Sequence, residues 1–437
     1  MVIFFKALPI GNSPQLVVRW RLLLVSVILS FSHGVIAGSA DDTLSLESAI
    51  ERTLSQNPRL RVFEFRDEAL RGQADTAALN PPLEIGADIE NINGTGSLTG
   101  INGAELTISL SSVIELGDKR QARVAAVGAR RGQLDAERQI DALDLLGEVT
   151  RRYIGVLVAQ EKLSLAQDAE SLARETIQSV ETRAAAAATP DAEVLRAQAA
   201  LSQAELLVSA EQNQLSYARV ALSALWGDTE PDFELVSGDL FQVEQQSGFE
   251  ELFARVQQNP FIEAFAHEER LREAELRLAR TQSESDLRWS VGARRLQENS
   301  DMALVAGFSI PLFTAERNRG AERSAVAARE EVGVRREAAL INLHSQLFNA
   351  FQNRQQAITT INTLQTNTIP LLDQALSETR AAYESGRYSY LEWVAARQEL
   401  LNARATLIDA AAAALSYGAE IEQLTAEPLL SPLDQTN

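Results

Sequence analysis

The chain contains no cysteine. That excludes disulfides, thiolate metal sites and a lipidated N-terminal cysteine. Histidine is nearly as scarce, with three in 437 residues. His267 and His344 fall on separate helical stretches, so neither has the converging partners that a metal site needs. Beyond residue 40, no stretch approaches the roughly 20 apolar residues of a spanning helix. Entry into a membrane would therefore require β-strands. Phosphate-binding loops are missing, and so are clusters of titratable groups suited to acid–base or metal chemistry. The expectation is a protein that is not an enzyme, with no cofactor and no metal site.

The first 40 residues hold no acid and only three bases, Lys6, Arg19 and Arg21. An apolar run from Leu22 to Phe31 follows, then small residues at Val35-Ile36-Ala37 and Gly38-Ser39-Ala40. This order reads as a secretory signal peptide over 1–40, cleaved after Ala37 or Ala40. The remainder carries 37 bases against 60 acids. Such a surface repels nucleic acid and anionic lipid and favours cations.

What is present is a long internal repeat. Leu54-Ser55-Gln56-Asn57-Pro58 returns as Val256-Gln257-Gln258-Asn259-Pro260, and Glu193 to Gln198 returns as Glu392 to Arg397. Each copy has the order helix, two short strands, one very long helix, one shorter helix. The first repeat spans 41–226, with a β-hairpin at 83–110, a long helix at 118–183 and a helix at 190–226. A linker at 227–248 departs from the pattern and reads as an equatorial collar. The second repeat spans 249–426, with a hairpin at 287–312, a long helix at 316–384 and a helix at 389–426. A C-terminal tail occupies 427–437. Pro370 should cost the second long helix a hydrogen bond and bend it.

The strand segments alternate with period two over about ten residues, as a transmembrane β-strand requires. Leu83, Ile85, Ile108, Trp289, Val291, Phe308 and Ile310 would face lipid. Four strands cannot close a barrel, and an open edge in lipid leaves backbone groups unpaired. More than one chain is needed: two would give eight strands, three would give twelve and room for a channel. Seven-residue rows such as Leu340, Leu347, Ile361 and Val194, Leu201, Val208, Leu215, Leu222 point to coiled packing of the helices.

Ile114-Glu115-Leu116-Gly117-Asp118-Lys119-Arg120-Gln121-Ala122-Arg123 resembles the outer membrane efflux (TolC) family, and more narrowly its cobalt–zinc–cadmium branch, whose usual motif is IELGGKRxAR. Ser309-Ile310-Pro311-Leu312-Phe313 and Tyr383-Glu384-Ser385-Gly386-Arg387 match in the second copy, and the resemblance covers about 44 to 425. It implies a mainly α fold with a small β part. Three chains would form a 12-stranded barrel in the outer membrane of a Gram-negative bacterium, continued by a periplasmic α-barrel. Implied partners are a homotrimer, a periplasmic adaptor (membrane fusion) protein, an inner-membrane RND-type pump and outer-membrane lipid. By the same resemblance, Tyr383 helps to hold the tip closed, Glu392 lines the constriction, and Glu193 joins the closing contacts. Gly386, Arg387, Thr189 and Pro190 would meet the adaptor. Three departures stand out: Asp118 replaces a glycine, Ala395 replaces an acid, and the first tip, Ala184 to Thr189, has no glycine. The two tips should not be mechanically equivalent.

Without the family, three copies of Glu392 around a narrow mouth would favour cations. Equally, Glu392 and Glu193 suit helix N-termini, where the dipole stabilises acids. The expected function is a passive exit duct for divalent metal cations. Alternatives are a duct for drugs or secreted polypeptides and, from another class, a periplasmic coiled-coil scaffold.

Overall fold

The computed structural model describes residues 43–243 and 247–426. The signal-peptide segment and the C-terminal tail lie outside these residues. In chain order the elements are β1 (Thr43–Leu44), α1 (Leu46–Gln56), α2 (Pro58–Ala78), β2 (Glu84–Glu90), β3 (Glu105–Ile114), α3 (Lys119–Ala185), α4 (Asp191–Ser223), β4 (Leu235–Val236), α5 (Phe249–Val256), α6 (Pro260–Thr281), β5 (Leu287–Leu296), β6 (Met302–Ser309), α7 (Thr314–Thr363), α8 (Ile369–Glu384) and α9 (Tyr390–Thr425). None of the helices among the described residues is long and apolar enough to cross a membrane.

The opening helix of each copy is two helices, not one. Proline at 58 and 260 takes the first helical position, where its missing N–H costs nothing, and so starts a new helix. The preceding asparagine works in two directions. Asn57 Oδ1 accepts from the Arg59 amide at 2.8 Å, while its Nδ2 donates to the Leu225 carbonyl at 2.7 Å. Asn259 repeats this with the Phe261 amide and the carbonyls of Gln423 and Leu424. The repeated Asn-Pro is a clasp that caps one helix and receives the end of another.

α3 has 67 residues and is about 100 Å long. Its counterpart is divided. Between α7 and α8 the backbone widens into a π-type turn at Leu364–Thr368, just before Pro370, which has no amide hydrogen to give. The helices form a layer one helix thick. Near the sheet, α3 packs on α2 and α6, and α6 on α7. Further along, α3 packs on α4 and α9, and α9 on α8. The lateral edges are thus α2 and α4 on one side, α7 and α8 on the other. Both carry exposed apolar side chains, including Leu195, Leu206 and Tyr217 on α4 and Val334, Ile341 and Leu371 on α7 and α8.

Interior packing falls into three clusters along the layer. The largest is equatorial, around Val149, Tyr153, Val156, Trp226, Phe233 and Ala411. Here β1 and β4 pair in parallel. Tyr153 Oη donates to the Leu44 carbonyl at 2.9 Å, and burial raises its pKa above the ordinary value. The Gln160 amide brackets Val236, accepting from its N–H at 2.7 Å and donating to its carbonyl at 3.3 Å. A second cluster, around Leu252, Leu347 and Ile421, lies toward the sheet, and a third occupies the far end.

The two hairpins join in one antiparallel sheet of order β2-β3-β5-β6. Ile85, Leu110, Val291 and Ala306 align across all four strands, as do Ala87, Ile108, Ala293 and Leu304, and Trp289 pairs with Phe308. These form the apolar face, where Leu304 is 93% exposed and Phe308 81%. The opposite face carries Glu84, Asp88, Glu90, Glu105, Arg288 and Arg294. Arg294 bridges Glu90 at 3.0 Å and Glu105 at 2.8 Å. Leu83 and Ile310 lie one residue outside the strands, because neighbouring Pro82 and Pro311 cannot donate to the ladder. β3 runs to Ile114, four residues beyond the hairpin limit read from the sequence.

The Ile114–Arg123 motif is the joint between this sheet and α3. Lys119, 5% exposed, places Nζ 2.7 Å from Asp286 and 2.9 Å from the Glu284 carbonyl. Asp286 also accepts from the Leu116 amide at 3.2 Å. Glu115 holds Arg123 through both oxygens. Gly117 has φ +72°, and a Cβ there would meet Glu284 Cγ at 2.5 Å, so no larger residue fits. Both long helices start from a left-handed residue, Asp118 and Phe313.

Candidate functional site

At the end of the layer away from the sheet, two helical hairpins turn: α3 into α4 through Ala186–Pro190, and α8 into α9 through Ser385–Ser389. Both turns demand a left-handed backbone. The second meets it with Gly386 at φ +76°, the first with Ala187 at φ +52°. Alanine in this region costs roughly 1 kcal/mol. The two turns therefore differ in backbone strain.

Above the turns sits an apolar cluster of Ile177, Val180, Ala197, Tyr383, Tyr390 and Trp393. Tyr383 is 2% exposed, and its ring lies 5.1 Å from that of Trp393, tilted by 33°. Arg183, in the last turn of α3, places its guanidinium 4.7 Å from the Tyr383 ring centroid. Nη1 donates to the Tyr383 carbonyl and, at 3.2 Å, to that of Glu384. Nη2 donates to the Ala188 carbonyl at 3.3 Å. One side chain thus caps the C-terminus of α8 and braces its own turn, tying the two copies together. A cation at a helix C-terminus is also favoured by the macrodipole.

Glu193 is the second tie. Its Oε2 accepts from the Thr189 hydroxyl and, at 3.4 Å, from Tyr383 Oη. Burial, above all, pushes the Tyr383 hydroxyl above its ordinary pKa; the Thr189 hydrogen bond opposes this and the Glu193 charge adds to it. The phenol is therefore neutral and a donor throughout the physiological range.

Glu392 stands apart from this network. It completes a capping box: Ser389 Oγ accepts from the Glu392 amide at 3.4 Å, and Glu392 Oε2 accepts from the Ser389 amide at 2.7 Å and its hydroxyl at 2.9 Å. Those two donors hold the carboxylate below its usual pKa. The helix-capping alternative is realised in the geometry. Pro190 precedes α4, with the Glu193 amide on its carbonyl at 3.0 Å. Gly386 and Arg387 lie in the second turn, where Arg387 Nε donates to Ser385 Oγ at 3.1 Å.

The structure thus brings Tyr383, Glu193 and Thr189 together and leaves Glu392 to its own helix. Arg183, Trp393 and Arg397 escaped the sequence reading. Arg183 carried a usable signal, since it occupies the last turn before the first tip as Tyr383 does before the second. Among the described residues, no group of three acidic or histidine side chains is placed to hold a metal ion.

Comparison with known proteins places this architecture. Over 361 residues the chain is 28% identical to the cobalt-zinc-cadmium resistance protein CzcC of Cupriavidus metallidurans, covering 83% of this chain and 85% of the relative. Its fold superposes on the outer membrane protein VceC of Vibrio cholerae with TM-score 0.69 at 20% identity, over 88% of this chain and 97% of that one. The open-state MtrE channel of Neisseria gonorrhoeae gives TM-score 0.68 at 20% identity, over 97% and 99%. The sequence matches the outer membrane efflux protein family over residues 49–228 and 255–427, and the chain belongs to that family.

Proposed function

We propose that three copies of this chain form the outer-membrane exit duct of a tripartite metal-efflux system, driven by an inner-membrane RND-type pump through a periplasmic adaptor. The observation that carries this reading is the four-stranded sheet. One face is apolar and open, the other is lined with ion pairs, and β2 and β6 are unpaired edges. In lipid each unpaired backbone group costs several kcal/mol, so an isolated sheet is untenable there. Joining β2 of one copy to β6 of the next removes every edge, and three copies give twelve strands around a wet lumen. The same head-to-tail operation lays the α2/α4 edge of one chain on the α7/α8 edge of its neighbour, burying Leu206, Tyr217, Ile341 and Leu371. Heterologous contacts of this kind close into a ring.

Divalent cations as cargo rest on the kinship with CzcC. The tip is the candidate gate, with Arg183, Tyr383, Glu193 and Thr189 as its fastening and Gly386, Arg387 and Pro190 exposed around it for an adaptor. Transport energy would come from the pump, which makes the duct passive. The test is threefold. Fractionation should place the protein in the outer membrane, light scattering in detergent should give a trimer, and a deletion strain should become sensitive to cobalt, zinc or cadmium and recover on complementation. A stable monomer in the detergent-free soluble fraction would refute the reading.

A further inference from the structure

Arg397 projects from α9 into the far-end core and is 8% exposed. Its Nη1 donates to Thr176 Oγ1 at 3.1 Å, and no carboxylate among the described residues pairs with it. Burial pulls its pKa below the ordinary value, opposed by the neighbouring Tyr390. The guanidinium borders a cleft of about 200 Å³ between α3, α8 and α9. Two acids stand on the cleft wall, and both are engaged elsewhere. Glu175 is held by Arg380 at 2.8 Å, and Asp373 by Arg404 at 3.1 Å.

The internal repeat supplies the control. Arg397 corresponds to Gln198 of the first copy, which is neutral and exposed on α4. The first copy fills its buried position in this turn with Ala197, and among the described residues it buries no cation in its share of the far-end core. A buried guanidinium without a counter-ion loses hydration that one hydroxyl, Thr176, and a narrow cleft replace only in part. The wall that encloses it is also the wall best able to move. α8 carries Asp373, Ser377 and Arg380, lies at the edge of the layer, and begins at the π-type turn Leu364–Thr368 beside Pro370. Proline and π-type turns are where helices kink.

We propose that Arg397 is a positioning residue that works against the closed tip: when α8 pivots about residues 364–370 the cleft widens and the guanidinium regains water or reaches Glu175, so its burial offsets the fastening made by Arg183. The proposal rests on the reading of the far end as a gate. It reverses the ordinary expectation for a hydrogen-bonded arginine, whose loss should loosen the structure.

The experiment compares full-length wild type, R183M, R397Q and R397K as purified channels in planar lipid bilayers, with the thermal midpoint of each measured in detergent. R397Q keeps an amide donor for Thr176 and discards the charge. Open-state occupancy should fall about tenfold in R397Q, while R397K, still charged, stays within about threefold of wild type. The R397Q midpoint should equal or exceed that of wild type. An R397Q channel as open as wild type or more so, or one with a lower midpoint, assigns Arg397 a bracing role and overturns the proposal. R183M separates the two levels. If R183M conducts while R397Q fails to close, the duct stands and the role of Arg397 falls; if no variant conducts, both fall.

Discussion

Arg183→Met is the sharpest test of what fastens the tip. The substitution keeps the aliphatic stem and removes a guanidinium that donates to three carbonyls and covers the Tyr383 ring. Hydrogen bonds from a charged donor contribute about 1.5–3 kcal/mol each when dry. At a half-exposed tip the freed carbonyls recover water, so the three together are worth closer to 2 kcal/mol. Stacking on the ring adds about 0.5–1 kcal/mol. A loss of about 2–3 kcal/mol shifts the closed-to-open ratio by roughly 30- to 150-fold, at 1.4 kcal/mol per factor of ten.

The hydroxyl of Tyr383 serves as the internal comparison. Its bond to Glu193 is 3.4 Å, at the long end of what counts as a hydrogen bond, and Glu193 already has the Thr189 hydroxyl. Tyr383→Phe leaves the buried ring in place and should change the same ratio by less than about fivefold, consistent with a weak bond worth under 1 kcal/mol. Single-channel recording in planar bilayers reads both variants. An order of effects in which Y383F opens the channel as much as R183M, or an R183M indistinguishable from wild type, would refute the assignment of Arg183 as the principal fastening.

Three further outcomes follow from local geometry. Gly386→Ala forces a side chain into a left-handed turn and should lower stability by about 1 kcal/mol, whereas Ala187→Gly trades relieved strain against chain entropy and should stay within about 0.5 kcal/mol of wild type; thermal unfolding of the trimer compares them. Glu392→Gln preserves the capping box, because glutamine serves at the same position, while deleting the charge; reversal potentials in a salt gradient then read the charge alone, and an unchanged cation preference removes Glu392 from the filter. Lys119→Met leaves Asp286 with one amide donor at the foot of the sheet, and removing one partner of a largely buried pair costs about 2–4 kcal/mol, so the yield of heat-resistant trimer in outer-membrane fractions should fall.

The mainly helical architecture and the two strand pairs were legible because each is carried by periodicity or by repetition over many residues, and the family through the short motifs at Ile114–Arg123 and Tyr383–Arg387. Alternation in Leu304, Ala306 and Phe308 survives any uncertainty in where the strand stops, while its last residue does not, since one proline at 311 decides that. The doubled opening helices were written locally, in the Asn cap and Pro of Asn57-Pro58 and Asn259-Pro260 that the sequence reading took only as a repeat, whereas the second bond of Asn57, to Leu225, joins residues 168 apart. No local pattern announces a partner at that separation. The tip was half legible. Tyr383 came through the family motif and Glu193 through the wider resemblance, whereas Arg183 left only its position in the last turn before the first tip, because the carbonyls it binds leave no trace in residue type. Glu392 shows the converse: a capping box explains its identity completely, so its chemistry alone never distinguished pore from cap.

The two copies, similar in sequence order, have divided the work at the tip. At the turns the first contributes Arg183 and Glu193, which reach the second copy, with Thr189 holding Glu193, and accepts a left-handed Ala187. Further up α8 and α9 the second copy reaches back, through Arg380 to Glu175 and Arg397 to Thr176. The second contributes the Tyr383 ring and hydroxyl and the two α8 carbonyls, on a glycine turn, and its long helix is interrupted by the π-type turn at Leu364–Thr368. If the far end gates as proposed, the interrupted α7–α8 arm is the one expected to move. Motion confined to α8 and α9 breaks the Arg183 and Glu193 contacts at once, while α3, continuous over 67 residues with no π-type turn, has no comparable place to bend. Spin labels on α8 should therefore broaden in R183M while labels on α3 keep the wild-type distribution; equal broadening on both would dissolve the distinction between the copies.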